Sequence, residues 1–166
     1  MVIRGISVHD WFYNQVDELN VAPMGDRYYK IARCTEVEVS TDEGNLRYKF
    51  QPGFVTNFRS GGLFVDRFVD QIGDNLATQV SWRVHDANYT PCAQQGGAHP
   101  VSKELADDML KAMLTHAGMK GWKASIVCAS VRAFGRSAYE EDDELTTTNS
   151  NLFEFHWDAT PRRSAQ

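Results

Sequence analysis

The spacing of the apolar residues changes near residue 75, and this change constrains the fold more than any other feature of the 166-residue chain. Before it, the segments 36–39 and 46–50 alternate apolar and polar residues, which is typical of strands with one buried face. After it, apolar residues recur with a period close to 3.6, which is typical of amphipathic helices. The pattern predicts an α+β fold in which an N-terminal β-hairpin, or small antiparallel sheet, packs on a C-terminal three-helix unit.

The predicted hairpin spans residues 36–50, with turn-forming residues at 41–45 between its two strands. Its expected buried side chains are Val37, Val39, Leu46, Tyr48 and Phe50. Residues 54–58 are expected to form a further short strand. Near the N-terminus, Trp11, Phe12, Val16 and Leu19 have roughly helical spacing, so a short amphipathic helix is predicted over residues 7–19.

Three helices are predicted in the second half of the chain. The first runs from about Leu76 to Tyr89, and a polar loop over residues 92–100 follows it. The second begins at a capping Ser102 and ends near Gly118. The third begins near Trp122 and ends at Phe134 or Tyr139, with inward-facing side chains at Ile126, Val127, Val131 and Phe134.

The character of the sequence changes again after residue 139. Residues 1–139 are predicted to be a single α+β domain, and residues 140–166 an acidic spacer followed by an aromatic C-terminal tail. The tail contains Leu152, Phe153, Phe155 and Trp157, which would expose a large apolar patch if the segment did not pack against a surface. Two alternatives follow: the segment returns to the edge of the chain's own sheet, or it docks on a partner by strand addition.

Composition narrows the function classes. A net charge of −5 and a pI of about 5.5 argue against binding to duplex nucleic acid. The three cysteines, Cys34, Cys92 and Cys128, are widely spaced, which favours free thiols in a reducing compartment. The N-terminus is not expected to act as a signal peptide, and no apolar run approaches the roughly 20 residues of a membrane span.

One group of residues has the chemistry of a catalytic site. His85 and Tyr89 are four residues apart on the first helix and share a face. Asp107 lies at the edge of the apolar stripe on the second helix, where a carboxylate needs a partner. Paired with His85, it would fix the imidazole tautomer and support the ring as a base. Asp86 points elsewhere and suits a hard cation such as calcium.

The alternative interpretation is structural: His85 caps or packs a helix, and Asp107 makes a structural ion pair. The short motif is weak evidence by itself, because the same spacing occurs a second time in His9-Asp10-Trp11-Phe12-Tyr13. This second copy has no matching acidic residue on a following amphipathic helix. The second helix is therefore what distinguishes the His85 group.

Four motifs in order over residues 50–135 resemble a family of uncharacterised proteins found mainly in bacteriophages and prophages. The matching segments are Gly53-Phe54-Val55-Thr56-Asn57-Phe58-Arg59-Ser60, His85-Asp86-Ala87-Asn88-Tyr89, Ser102-Lys103-Glu104-Leu105-Ala106-Asp107 and Val131-Arg132-Ala133-Phe134-Gly135. The resemblance implies a phage origin. The chain departs from the family pattern at Asn57 and Arg59, where Asp and Ala are usual.

The helix pair is also distantly similar to that of the secreted calcium-dependent phospholipases. This similarity implies that His85 activates water, Asp107 orients His85, Tyr89 steadies Asp107, and Asp86 binds calcium. The framework disulfides and a clear calcium-binding glycine loop are missing from the chain.

These observations predict a phage structural or assembly protein, associated with the virion or the host cytoplasm. Its expected partners are other virion proteins or copies of itself, which it would contact through the aromatic tail. No nucleic-acid partner is expected. The alternatives are a calcium-dependent esterase or cell-envelope hydrolase, and a phage regulator that binds a host protein.

Overall fold

A computed structural model describes residues 1–10, 21–23, 29–31, 33–56, 76–95, 100–140 and 149–159. The strands are β1 (Ile3–Asp10), β2 (Val21–Pro23), β3 (Tyr29–Ile31), β4 (Thr35–Thr41), β5 (Gly44–Phe50), β6 (Val55–Thr56) and β7 (Phe153–Ala159). The helices are α1 (Leu76–Asn88), α2 (Pro91–Gln94), α3 (Lys103–His116), α4 (Gly121–Phe134) and α5 (Arg136–Glu140). The predicted α+β class is confirmed.

The predicted hairpin is formed by β4 and β5, which pair antiparallel with Val39 opposite Leu46 and Val37 opposite Tyr48. All five side chains that the alternation placed inward are fully buried. Thr41 accepts the amide of Glu43 and donates to the carbonyl of Gly44, which fixes the turn. Gly44 has a φ of 135°, a conformation that a residue with a Cβ rarely adopts.

The helix predicted over residues 7–19 is wrong for its first part, because residues 3–10 form strand β1. This strand pairs antiparallel with β4, with Ile6 opposite Val39 and Val8 opposite Val37. Ile6 and Val8 pack against the core from one face of the strand. Pairing with an exposed edge of the hairpin overrides a short helical pattern, since strand preference depends on cross-strand neighbours. Residues 11–19 lie outside the described residues.

The predicted strand over 54–58 is present as β6, which has only two described residues and pairs with β3 in a small sheet of order β2-β3-β6. The side chain of Asn149 donates to the carbonyl of Val55 and accepts its amide, at 2.8 and 2.9 Å. Both backbone groups of this buried residue are thereby satisfied. Residues 57–58 lie outside the described part of the chain.

The three predicted helices are confirmed as α1, α3 and α4. Ser102 caps α3 by accepting the amide of Leu105 at 3.2 Å, and Gly118 follows its end with a φ of 95°. The loop expected over 92–100 is wrong at its start, where the short helix α2 begins at Pro91. Proline is favoured at a first helical position, because its missing N–H has no role there.

Two of the four inward positions predicted for α4 are correct. Val127 and Val131 are buried, but Ile126 and Phe134 are 37% and 62% exposed. The buried residues of α4 are Ala124, Val127, Cys128 and Val131, a stripe with spacings of three, one and three. Ile126 and Phe134 are eight residues apart and therefore share a second face of the same helix. The sequence pattern did not distinguish the two faces.

The aromatic segment adopts the first of the two alternatives, since β7 is the fourth strand of the sheet β1-β4-β5-β7. It pairs antiparallel with β5, and Phe153 is buried against Phe50 and Phe54 at ring distances of 6.1 and 5.9 Å. The sheet therefore contains strands from both sides of the domain boundary predicted at residue 140. No helix among the described residues is long and apolar enough to cross a membrane.

Candidate functional site

The candidate site lies where α1 packs on α3. His85 projects from α1 and Asp107 from α3, and their Nε2 and Oδ1 atoms are 3.2 Å apart. The residues are 1% and 0% exposed, respectively. The sequence placed Asp107 at the edge of the apolar stripe, whereas the structure places it fully inside the helix interface. Its neighbour Asp108 is exposed and pairs with Arg132 of α4.

Tyr89 joins the pair from one turn further along α1. Its hydroxyl donates to Oδ1 of Asp107 at 2.7 Å, and its ring centroid lies 4.2 Å from that of His85. The structure therefore brings together His85, Tyr89 and Asp107, as the sequence analysis proposed. Asp107 Oδ1 accepts from two donors at once.

Lys103 is a member of the site that the sequence analysis missed. Its Nζ lies 2.8 Å from Oδ2 of Asp107, so both carboxylate oxygens are engaged. The same ammonium lies 5.8 Å from the centre of the Tyr89 ring. The spacing of four between Lys103 and Asp107 on one helix was the available signal.

Burial and hydrogen bonding act in opposite directions on the two ionisable partners. Burial raises the pKa of Asp107, but its hydrogen bonds from His85, Lys103 and Tyr89 outweigh burial and bring the pKa below its ordinary value. Burial lowers the pKa of His85, but Asp107 and Asp86 outweigh burial and raise it. Burial, together with the adjacent Asp107 carboxylate, raises the pKa of Tyr89. Both shifts favour the pair of imidazolium and carboxylate over the neutral pair.

Asp86 lies on a different face of α1 and takes no part in the hydrogen bonds around Asp107. Its Oδ2 accepts from the Thr56 hydroxyl, and its Oδ1 lies 3.8 Å from Nδ1 of His85. Burial lowers the pKa of Arg83, and the charge of Asp86 partly opposes that effect. The carboxylate thus has two basic side chains in electrostatic reach.

The calcium ion implied by the phospholipase similarity does not fit these surroundings. Calcium takes six to eight oxygen ligands, and positive neighbours oppose it. No group of three His, Cys, Asp or Glu side chains converges anywhere in the described ranges. We therefore derive no chemistry through a metal at Asp86.

The second imidazole nitrogen decides what the site can do. Nδ1 of His85 is buried and has no hydrogen-bond partner among the described residues, and the distance to Asp86 is too long for a hydrogen bond. The Trp82 ring lies edge-on to the imidazole at 6.0 Å. A water could attack a substrate only from contact with Nδ1, so this 1% exposed side chain would have to be uncovered first.

Gly135 allows the Tyr89 hydroxyl to lie close to the end of α4. A Cβ on Gly135 would lie 2.9 Å from that hydroxyl and 2.6 Å from the carbonyl of Val131. Both distances are shorter than normal contacts, so a larger residue would displace the tyrosine or the helix end. The glycine of the fourth motif thus serves the packing of the site.

The second His-Asp pair lies in a different kind of element. His9 and Asp10 are the last two residues of strand β1, whereas His85 and Asp86 lie on a helix. Residues 11–13, which complete that copy of the motif, lie outside the described residues. The two matches therefore belong to different secondary structures.

We compared the chain with protein-family models, with curated proteins and with solved structures, and found no significant match in any of the three.

The site predicts how stability depends on pH. Because the pKa of His85 is raised, its contribution is full below the unfolded value of about 6.5 and is lost as pH rises through the folded pKa. Because the pKa of Asp107 is lowered, its contribution is full above about 3.9 and is lost as pH falls through the folded pKa. We expect urea unfolding to give the highest stability between about pH 4 and 6.5. In His85→Gln the alkaline decline should become shallower, and an unchanged decline would contradict the assignment.

Proposed function

We propose that this chain is a structural or assembly protein of a bacteriophage, and that the network of His85, Tyr89, Lys103 and Asp107 stabilises its fold. The single observation that carries the second part is the burial of the imidazole, which is 1% exposed. A hydrolytic base must contact both water and substrate. A base enclosed between two helices contacts neither.

The bonding of Asp107 supports the same proposal. Its two carboxylate oxygens receive three donors, from His85, Tyr89 and Lys103. A buried carboxylate satisfied in this way holds its donors in one geometry, because removing any of them leaves an uncompensated polar group. The network joins α1 to α3 and, through Tyr89 and Gly135, to the end of α4.

The assignment to a phage rests on the four ordered motifs, because the aromatic segment is part of the chain's own sheet. Phe153 is buried in the chain's own core, and Leu152, Phe155 and Trp157 are half-buried there. We therefore propose that a partner contacts the outer edge of β7 rather than these side chains. β7 lies at one end of the described sheet, and an edge strand is where a further strand adds.

The test of the phage assignment is the composition of purified particles. Mass spectrometry of virions from the encoding phage should find this chain at a fixed ratio to the major capsid protein. A chain present in infected cells but missing from particles and from their assembly intermediates would overturn the assignment.

A hydrolase is the second candidate, and one observation favours it. Nδ1 of His85 has no hydrogen-bond partner among the described residues, and this is the nitrogen that would hold the water. Asp107 and Tyr89 already occupy the positions that the phospholipase similarity requires. Such an enzyme would have to uncover the imidazole when it binds substrate.

His85→Ala distinguishes the two candidates. Under the structural proposal the variant loses about 1–3 kcal/mol of unfolding free energy, because Asp107 stays buried with one donor fewer, and the yield of particles falls accordingly. Urea unfolding and particle counts measure these effects. Under the hydrolase candidate the variant still assembles but loses an ester-hydrolysing activity that calcium supports.

His116→Ala is the matched control, since His116 ends α3 and is exposed. It should change stability by less than about 0.5 kcal/mol. The structural proposal is wrong if the wild-type chain hydrolyses an ester, a chelator removes the activity, and folded His85→Ala lacks it.

A further inference from the structure

Arg83 is the most unusual buried side chain in the described part of the protein. It lies on α1 and is 0% exposed, and it is among the largest fully buried side chains. Its guanidinium carbon lies 5.7 Å from the centre of the Phe50 ring, so one face of the group is against an aromatic surface. Arginine is rarely buried completely unless an acceptor is paired with it.

None of the three guanidinium nitrogens has a hydrogen-bond partner among the described residues. A guanidinium has five N–H donors and cannot become an acceptor. Leaving all of them unsatisfied in the interior is far less favourable than the cation–π contact with Phe50 can offset. The arrangement therefore points to an acceptor supplied from outside the described residues.

Asp86 acts on Arg83 through its charge and not through a hydrogen bond. Burial lowers the pKa of Arg83 to about 9, and the Asp86 carboxylate partly opposes that effect. The guanidinium therefore remains charged at neutral pH. The oxygens of Asp86 are turned instead toward Thr56 and toward Nδ1 of His85.

Two other side chains of α1, close to Arg83 in sequence, resemble it in this respect. Nδ1 of His85 and Nε1 of Trp82 are further buried nitrogens without a hydrogen-bond partner among the described residues.

We propose that Arg83 is the binding group of a buried site for one small oxyanion, a phosphate or a carboxylate. Two oxygens of such an anion match the planar fork of the guanidinium, and the charge of the anion compensates that of Arg83. The site does not depend on whether the chain is a virion protein or a hydrolase.

The experiment measures the melting temperature in phosphate, sulfate and acetate against chloride at matched ionic strength. Binding to the folded state alone should raise it by about 5 °C when the free anion is at roughly 20 times its Kd, and further as the anion concentration rises. The three anions separate a phosphate site from a carboxylate site by the size of the rise. Calorimetry should find one phosphate or one acetate bound per chain.

Two variants make the assignment specific. Arg83→Met should melt at the same or a higher temperature than wild type in chloride, because it removes an unpaired buried charge, and it should not respond to the oxyanions. Arg132→Met is the matched control, since this exposed arginine pairs with Asp108, and it should respond as wild type does. If Arg83→Met does not fold, Arg83→Lys should bind roughly tenfold more weakly, because an ammonium lacks the fork.

Two outcomes would overturn the proposal. One is a wild-type melting temperature that is the same in all four anions. The other is an equal rise in wild type and in Arg83→Met, which would mean an adventitious ion only.

Discussion

Deletion of residues 145–166 is expected to prevent the protein from folding. The deletion removes β7, which pairs with β5 along all seven of its residues. It also removes Asn149, whose side chain satisfies both backbone groups of buried Val55. Phe50 and Tyr48 would lose the rings of Phe153 and Phe155 that pack on them. Circular dichroism and urea unfolding of the truncated chain measure the effect.

Two point variants show whether the deletion acts through packing. Phe153→Ala should lower the free energy of unfolding by about 3–5 kcal/mol, since the ring is 3% exposed in the core. Glu154→Ala, at the next position of the same strand, loses only an exposed ion pair with Lys49 and should cost less than about 1 kcal/mol. A truncated chain as stable as wild type would refute the role of β7 in the domain.

Asp107→Asn is expected to lower the free energy of unfolding by about 3–5 kcal/mol. The amide keeps the shape of the carboxylate but not its charge, so the buried His85 and the ammonium of Lys103 lose their counter-ion. One of its two terminal atoms becomes a donor and faces either Lys103 or the pair formed by His85 and Tyr89. The loss should be largest where His85 is protonated, because the interaction there is between opposite charges. Urea unfolding at several pH values measures this loss.

The neighbouring carboxylate provides the matched control. Asp108→Asn removes an exposed ion pair with Arg132 and should change stability by less than about 1 kcal/mol. Both variants make the same chemical change on adjacent residues of one helix, so the difference between them isolates burial. Equal and small effects of the two would show that the network around Asp107 does not stabilise the fold.

The two predictions concern different parts of the molecule. Phe153→Ala, the point variant that tests the role of β7, removes apolar contacts of the core, and its effect should depend little on pH. Asp107→Asn removes an electrostatic interaction between α1 and α3, so its effect should follow the protonation of His85. Comparing their pH dependence therefore separates the hydrophobic core from the ionic network.

The sequence by itself determined the local elements of this protein. The hairpin β4–β5 and its five buried side chains follow from alternation within fifteen residues. The helices α1, α3 and α4 follow from apolar periodicity, from the cap at Ser102 and from the glycine at 118. Spacing along α1 also placed His85 and Tyr89 on one face. Each of these features depends on residues a few positions apart, which a single sequence displays directly.

Only the tertiary structure decided what each element packs against. Residues 3–10 are a strand because they pair with β4, whose residues lie 25 to 38 positions further along the chain. The exposed position of Phe134 depends on which side of α4 meets α3. The local sequence pattern predicts neither fact, because the element that each one packs against lies far away in sequence.

The same division applies to the candidate site. Helical spacing predicted the pairing of His85 with Asp107, but not the burial of the imidazole or the third donor on Asp107. The sequence suggested Asp86 for a hard cation such as calcium, whereas in the folded protein its oxygens lie near the Thr56 hydroxyl and Nδ1 of His85, and its charge acts on Arg83. Residue identities determine which groups can ionise. The distances between those groups and their removal from water, which only the fold sets, decide what charges they carry and what they bind.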